Sequence, residues 1–207
     1  MTIETKKAPS PTLRFMSEAE FDDWCDEEVK AEYLDGEVIV MPPSSLMHDD
    51  GESSLGILIG LFVRKNKIGW SSATGMIQVR LRKGLRRCPD ALFVEKSRGK
   101  IVKDTYVDGA PDLIVEVVSQ DSIVRDWHEK YRDYEAAGVR EYWIVDQLQQ
   151  RLEVYRLGRD RRFHPIPLKE GKLYSKVLPG FWVKPEWFWE GSSFDYYDMG
   201  KENGIIS

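Results

Sequence analysis

One acidic side chain stands in the middle of a dense apolar run of this 207-residue chain, Leu113, Ile114, Val115, Glu116, Val117, Val118. An interior β-strand covered on both faces reads as such a continuous apolar run, and an unpaired carboxylate buried within it costs several kcal/mol. The fold must therefore bring a compensating cation to Glu116, whether a metal ion, a lysine or an arginine. A carboxylate held in this way marks a candidate functional site. The alternative is a structural ion pair, or an edge strand that leaves Glu116 in water.

A partner acid has to come from another strand. Asp112 shares the strand parity of Glu116, but four residues of extended chain separate the two by roughly 13 Å. Asp112 is read instead as a structural residue capping the turn after Gly109-Ala110-Pro111. Pro89-Asp90 opens the next apolar run, 91–94, and if that run pairs antiparallel with 113–118, its beginning lies beside the end of the Glu116 strand. Asp90 and Glu116 then face one another. Lys130 follows Asp126 by four residues on the helix after the Glu116 strand. That spacing suits an ordinary surface ion pair, and it equally suits a compact cation aimed back at the two carboxylates.

The rest of the chain reads as α/β. Ser17 with Glu20 has the form of a capping box and opens a helix over 18–30. Asp35-Gly36 between Tyr33-Leu34 and Val38–Met41 is a hairpin turn, which Pro42-Pro43 ends. Ser44 or Ser45 caps a second helix whose apolar positions Leu55, Leu58, Ile59 and Phe62 recur at helical spacing, with glycines allowing close backbone packing. Alternation from Met76 puts Ile77, Val79 and Leu81 on one strand face and Gln78, Arg80 and Arg82 on the other. A helix over 126–137, with Trp127, Tyr131 and Tyr134, stops at Gly138; strands follow at 142–145, 152–157 and 163–168. The aromatic segment after Leu178 is expected to cover the sheet. The expected organisation is a loose tail at 1–12, one domain over 13–190, and a C-terminal tail at 191–207.

With 42% hydrophobic residues against 31% charged, the chain has material for a packed interior, which excludes wholesale disorder. No run reaches the ~20 apolar residues of a membrane span, and the N-terminus lacks the basic-then-apolar order of a signal peptide. The expected location is the cytoplasm, away from membranes. The two cysteines, Cys25 and Cys88, fit neither a disulfide framework nor a zinc site. A net charge of −5 argues against bulk electrostatic coating of nucleic acid. Locally, though, Arg80, Arg82, Lys83, Arg86 and Arg87 form a basic cluster that phosphates could contact, or a solvated turn of gatekeeper charges. Arg64, Lys65 and Lys67 form a second.

Taken in order, Pro89-Asp90, then Pro111 to Ser119 with Glu116, then Asp126, Lys130, Tyr134 and Gly138-Val139-Arg140-Glu141-Tyr142-Trp143 resemble the Uma-type family of restriction-endonuclease-like bacterial proteins in the PD-(D/E)XK superfamily. Tyr33 to Glu37, Met41-Pro42-Pro43 and Leu178 to Phe181 extend the resemblance over about residues 15–185. It implies an αβββαβ core with a mixed central sheet flanked by helices, here joined by an N-terminal helix and hairpin and a C-terminal β-rich extension. It implies Asp90 and Glu116 as the motif acids and, because Val118 stands where the motif lysine belongs, Lys130 as its replacement. With the backbone carbonyl of Val117, Asp90 and Glu116 are the implied ligands of Mg²⁺ or Mn²⁺. Glu37 and His48 are implied at the rim. The expected activity is metal-dependent hydrolysis of phosphodiester bonds in nucleic acid, DNA foremost, by a protein that could act as a homodimer. The competing expectation is an inactive nucleic-acid-binding or homo-oligomeric interaction protein on the same fold.

Overall fold

Asp35 and Gly36 both take positive φ, 46° and 103°, and the chain reverses on itself as a primed turn requires. In the computed structural model, which describes residues 12–26, 29–41, 46–119, 122–189 and 196–206 (side chains of 46–52 excepted), this hairpin seeds the first of two six-stranded sheets. The elements run β1 (Thr12–Phe15), α1 (Glu18–Trp24), β2 (Ala31–Leu34), β3 (Glu37–Val40), α2 (Leu46–Asn66), β4 (Gly69–Ser72), β5 (Gln78–Arg82), β6 (Leu85–Arg87), β7 (Ala91–Glu95), β8 (Tyr106–Asp108) and β9 (Leu113–Val117). There follow α3 (Tyr131–Ala137), β10 (Glu141–Asp146), β11 (Arg151–Leu157), β12 (Phe163–Pro165), the short pair β13 (Leu173–Tyr174) and β14 (Trp182–Val183), and α4 (Tyr196–Glu202).

The sheet that carries Glu116 has the order β12-β11-β10-β9-β7-β4 and is mixed. β4, β7 and β9 pair antiparallel, α3 crosses over, and β10 returns parallel to β9. With α2 ahead of β4 this is the expected αβββαβ order. The other sheet, β1-β3-β2-β6-β5-β8, takes the hairpin and the strands on either side of Gly84.

Apolar packing follows the sequence pattern. β7 and β9 are buried on both faces. On one face Leu55, Leu58, Ile59 and Phe62 of α2 pack with Val115, Val117 and Trp143, and Leu178, Phe181 and Phe188 close over them as the expected cover. On the other face Ile114 and Val118 meet Tyr134, Val139 and Tyr142. Gly56 lets α2 lie this close: a Cβ there would sit 2.1 Å from that of Ala73.

Three boundaries differ from expectation. α1 starts at its capping box but ends at Trp24 rather than reaching residue 30. Its last turn carries Asp22 and Asp23 and no basic residue, the wrong charge for a helix C-terminus. The C-terminal tail contains α4, whose Met199 joins the α2 core together with Ile205. The third is at the helix expected over 126–137, where residues Arg125–Lys130 wind as a π-helix before α3 begins. The caps at Ser44 or Ser45 and the residues before position 12 lie outside the described residues.

The two sheets are joined through a short segment of chain. β6 leads through Cys88, Pro89 and Asp90 straight into β7, so the second residue of β2, the end of β6 and the ends of β7 and β9 meet at one place.

Candidate active site

Glu116 is 1% exposed and its side chain shares a strand face with Ile114 and Val118. Its Oε2 lies 2.7 Å from Lys130 Nζ, and its Oε1 accepts a 2.6 Å hydrogen bond from the Tyr134 hydroxyl. Both donors come from the helical segment after β9. Within that segment Asp126, Lys130 and Tyr134 recur every fourth residue and are all buried. The π turn holds the first two on the side facing Glu116, and such turns are frequent at functional sites.

Asp90 arrives from the neighbouring strand. Ala91 is registered with Val115, so one step back sets Asp90 beside Glu116, the antiparallel arrangement expected from the sequence. Asp90 Oδ2 accepts the Val117 N–H at 2.7 Å, and Oδ1 pairs with Lys30 Nζ at 3.1 Å. One more step in the same register puts Pro89 opposite Val117. Proline has no N–H, so β7 offers no ladder donor to the Val117 carbonyl, and the Asp90 carboxylate takes the N–H that a strand carbonyl would ordinarily receive.

Lys130 is shared more widely than the sequence suggested. Its Nζ is 3.2 Å from Glu32 Oε1 and 3.0 Å from Asp126 Oδ1; the latter contact is an ion pair outside hydrogen-bond angles. Arg87, 1% exposed, bridges Glu32 at 2.7 Å and Asp133 at 2.6 Å. Around Lys30, Arg87 and Lys130 are thus gathered Glu32, Asp90, Glu116, Asp126 and Asp133, with Arg125 acting on Glu32 from farther off. Acid is in surplus. Lys30, with one fifth of its side chain exposed, is a member of the cluster that meets solvent.

The surplus decides the protonation states. Burial pushes the Glu116 carboxyl up to about 8; Lys130 opposes this, and Asp90, Asp126 and Glu32 add to it. Burial raises Asp126 in the same sense. For Glu32 burial also works upward, but Lys130 and Arg87 outweigh it and hold the carboxyl down at about 2. Burial would lower Lys130, yet Asp126, Glu116 and Glu32 leave it well above its ordinary value. The resting site is therefore a lysinium among carboxylates, one of which retains a proton near neutrality.

Among the described residues no three His, Cys, Asp or Glu side chains gather closely enough to hold a metal ion. The donor chemistry nevertheless suits one. Asp90, Glu116 and a backbone carbonyl facing a proline are all oxygen donors, as hard divalent cations prefer. Burial raises Glu116 and Asp126 together, and a divalent cation would neutralise the same excess of carboxylate charge.

Other expected residues fall differently. Asp112 is a structural residue, but its partners are not in the preceding turn: it accepts the Glu95 N–H at 2.7 Å and pairs with Arg98 at 2.7 Å and Arg140 at 3.0 Å. Of the basic cluster, Arg87 belongs to the buried network and Arg86 is enclosed with Glu18 and Asp22. Arg80 pairs with Asp108 and Arg82 with Asp35. Arg82 and Lys83 are its exposed members. Glu37 lies across from Leu34, on the face of the hairpin that carries Glu32 and about two residues farther along. His48 is in α2, and its side chain lies outside the described residues. Among the acids that touch Lys130, Glu32 is the one that sequence reasoning missed. Its signal was an acid between Ala31 and Tyr33 in a strand, a fainter version of the pattern around Glu116. Tyr134 was seen as an apolar helix position and as one of the residues carrying the family resemblance, without a role toward Glu116.

A family model, Uma2, described as "Putative restriction endonuclease", matches residues 18–186. The crystal structure of "a putative nuclease belonging to DUF820" from Anabaena variabilis aligns with a TM-score of 0.69 at 17% identity, covering 87% of this chain and 98% of that one. No curated protein matches the sequence.

Proposed function

Because this chain belongs to the Uma2 family of restriction-endonuclease-like proteins, we propose that it hydrolyses phosphodiester bonds of nucleic acid with a divalent cation, Mg²⁺ or Mn²⁺, held by Asp90, Glu116 and the carbonyl of Val117. One observation carries the reading: a buried lysine from the helix after β9 stands 2.7 Å from Glu116 while Asp90 is tied to the next backbone N–H of the same strand. Two neighbouring strands and the helical segment that follows them thus bring two carboxylates and an ammonium together.

A divalent cation bound there supplies Lewis-acid neutralisation of the charge on the scissile phosphate. The protein's own groups do the rest. Lys130, kept charged by its carboxylate neighbours, donates to a phosphoryl oxygen as negative charge grows in the transition state. Tyr134 fixes the rotamer of Glu116 through Oε1, and the Val117 N–H fixes Asp90 through Oδ2, so both carboxylates are oriented before substrate arrives. Glu32 and Asp126 hold the ammonium, and Arg87 locks Glu32 in turn. Arg82 and Lys83 lie on the surface of the adjoining sheet, where contacts to flanking phosphates would position substrate without reading its sequence.

Calorimetric titration of Mn²⁺ into wild type and Glu116→Gln is the direct test, paired with cleavage of plasmid and single-stranded DNA by wild type and Lys130→Ala. The expected result is one site in wild type, at least tenfold weaker in Glu116→Gln, with cleavage abolished by the lysine change. Equal Mn²⁺ binding in the two proteins would remove Glu116 from the metal shell.

A second reading, a nucleic-acid-binding protein without catalysis, is favoured by the complete enclosure of Lys130 in ion pairs. Retention of nucleic acid with neither Mn²⁺ binding nor cleavage would select it.

A further inference from the structure

The helical segment that aims Lys130 at the carboxylates has a second wall. Each buried site residue is followed by one that faces outward into a cleft: Asp126 by Trp127, Lys130 by Tyr131, Tyr134 by Glu135. One residue turns a helix by about 100°, so site and cleft lie on adjacent sides of the same rod, within about 10 Å of each other. The cleft is about 690 Å³ and is lined by Trp127, Tyr131, Tyr155, Arg132, Arg151 and Arg162, among others. That volume is in the range of small-molecule sites.

Its lining is unlike the rest of a chain whose net charge is −5. Three arginines and His128 face a single lining acid, Glu135, which is taken up by Arg162 at 2.8 Å. Arg151, paired with Glu153, lies with its guanidinium 4.4 Å over the Trp127 ring, a flat cationic platform. Tyr131 and Tyr155 meet edge to face at 5.0 Å. Arg132 is exposed, and neither it nor His128 forms an ion pair among the described residues.

We propose that this cleft binds an unpaired nucleotide of the strand presented to the site, its base on the Arg151–Trp127 platform and tyrosine rings and its phosphate on Arg132 and His128. Aromatic rings interleaved with arginines are the chemistry of single-strand recognition, because every base has a face to stack while the backbone supplies the charge. A duplex keeps its bases stacked on each other and has none to offer. An acidic peptide would satisfy the arginines and leave the rings unused. The proposal rests on the nucleolytic reading for its substrate class, yet binding can be measured with cleavage switched off.

The experiment is fluorescence anisotropy in EDTA with a labelled oligothymidylate and a duplex of the same length. Wild type is expected to prefer the single strand by at least tenfold, and Arg132→Glu to lose about tenfold on the single strand. Trp127 donates to Asp146 at 3.2 Å and its removal can unfold the helix, so the exposed Arg132 is the deciding position. Equal affinity for duplex, unchanged binding by Arg132→Glu, or competition by polyglutamate as effective as by oligothymidylate would each overturn the proposal. If Arg132→Glu loses single-strand binding while no variant cleaves with Mn²⁺, the cleft stands and the nuclease reading falls. If wild type cleaves and Arg132→Glu binds normally, the reverse holds.

Discussion

Strand β9 carries two buried acids on one face, Asp112 just before its first residue and Glu116 near its end, and the fold treats them in opposite ways. Asp112 is met by a backbone N–H and by two arginines whose side chains are 30% and 51% exposed, so its charge is balanced by cations that reach water. Glu116 is met by a lysine that other carboxylates also claim. Burial of an acid is common to both and distinguishes neither. What separates an anchoring carboxylate from a reactive one is whether its neighbourhood is balanced or left short of positive charge.

The largest test of that contrast is functional. Asp90→Asn and Glu116→Gln are each expected to lower metal-dependent cleavage by more than 100-fold, as removal of charge from a preorganised electrostatic site does, whereas Asp112→Asn leaves cleavage by the folded protein intact. A comparable loss from Asp112→Asn, measured at a temperature where it is folded, would break the distinction. Stability should show the reverse ranking. Asp112→Asn gives up charge-assisted hydrogen bonds and is expected to cost about 2 kcal/mol in denaturant unfolding, the arginine exposure sparing it the larger penalty of stranded buried charge.

The next prediction concerns pH. The folded protein holds a proton on Glu116 up to about 8, while the unfolded chain releases it near the ordinary value of 4.5. Between those limits unfolding releases that proton, so this group makes stability fall as pH rises. Glu116→Gln should flatten the part of the metal-free profile between pH 4.5 and 8, and a slope identical to wild type would refute the assignment. Glu32 works with opposite sign: held at about 2, it contributes stability above pH 4.5 that is lost as pH falls toward 2, and Glu32→Gln should remove that acid limb. The smallest effect is expected at the surface. Arg82→Ala should change stability by less than about 1 kcal/mol and reduce the salt slope of nucleic-acid binding by roughly one unit, read from affinities at several salt concentrations.

Much of this site was legible before any coordinates. The apolar run around Glu116 announced an interior strand, Pro89-Asp90 opened the strand beside it, and antiparallel pairing alone set the two acids side by side. Lys130 could be placed because a helix that returns over its own strand points its first turns at that strand's end. Glu32 could not, since it comes from a different sheet and its meeting with Lys130 is a tertiary event across nearly half the chain. Arg86 and Arg87 misled for a related reason. In sequence they extend a basic cluster, but β6 turns them inward where Glu18, Asp22, Glu32 and Asp133 await, and nothing local records that. The division into two sheets was hidden likewise, because strand periodicity specifies a face and not a partner.

The π turn at Arg125–Lys130 gives the count of residues in this segment a meaning of its own. Deleting a single position within the helical stretch 123–130 would rotate everything beyond it by roughly 100°, swinging the ammonium out of the carboxylates and a bulky neighbour in. Substitutions at outward positions such as Val124 or Glu129 alter what solvent sees, whereas an insertion or deletion there resets the aim of the whole rod. In this protein the aim of the lysine is set by a length of chain, and the outward side chains along that length do not enter into it.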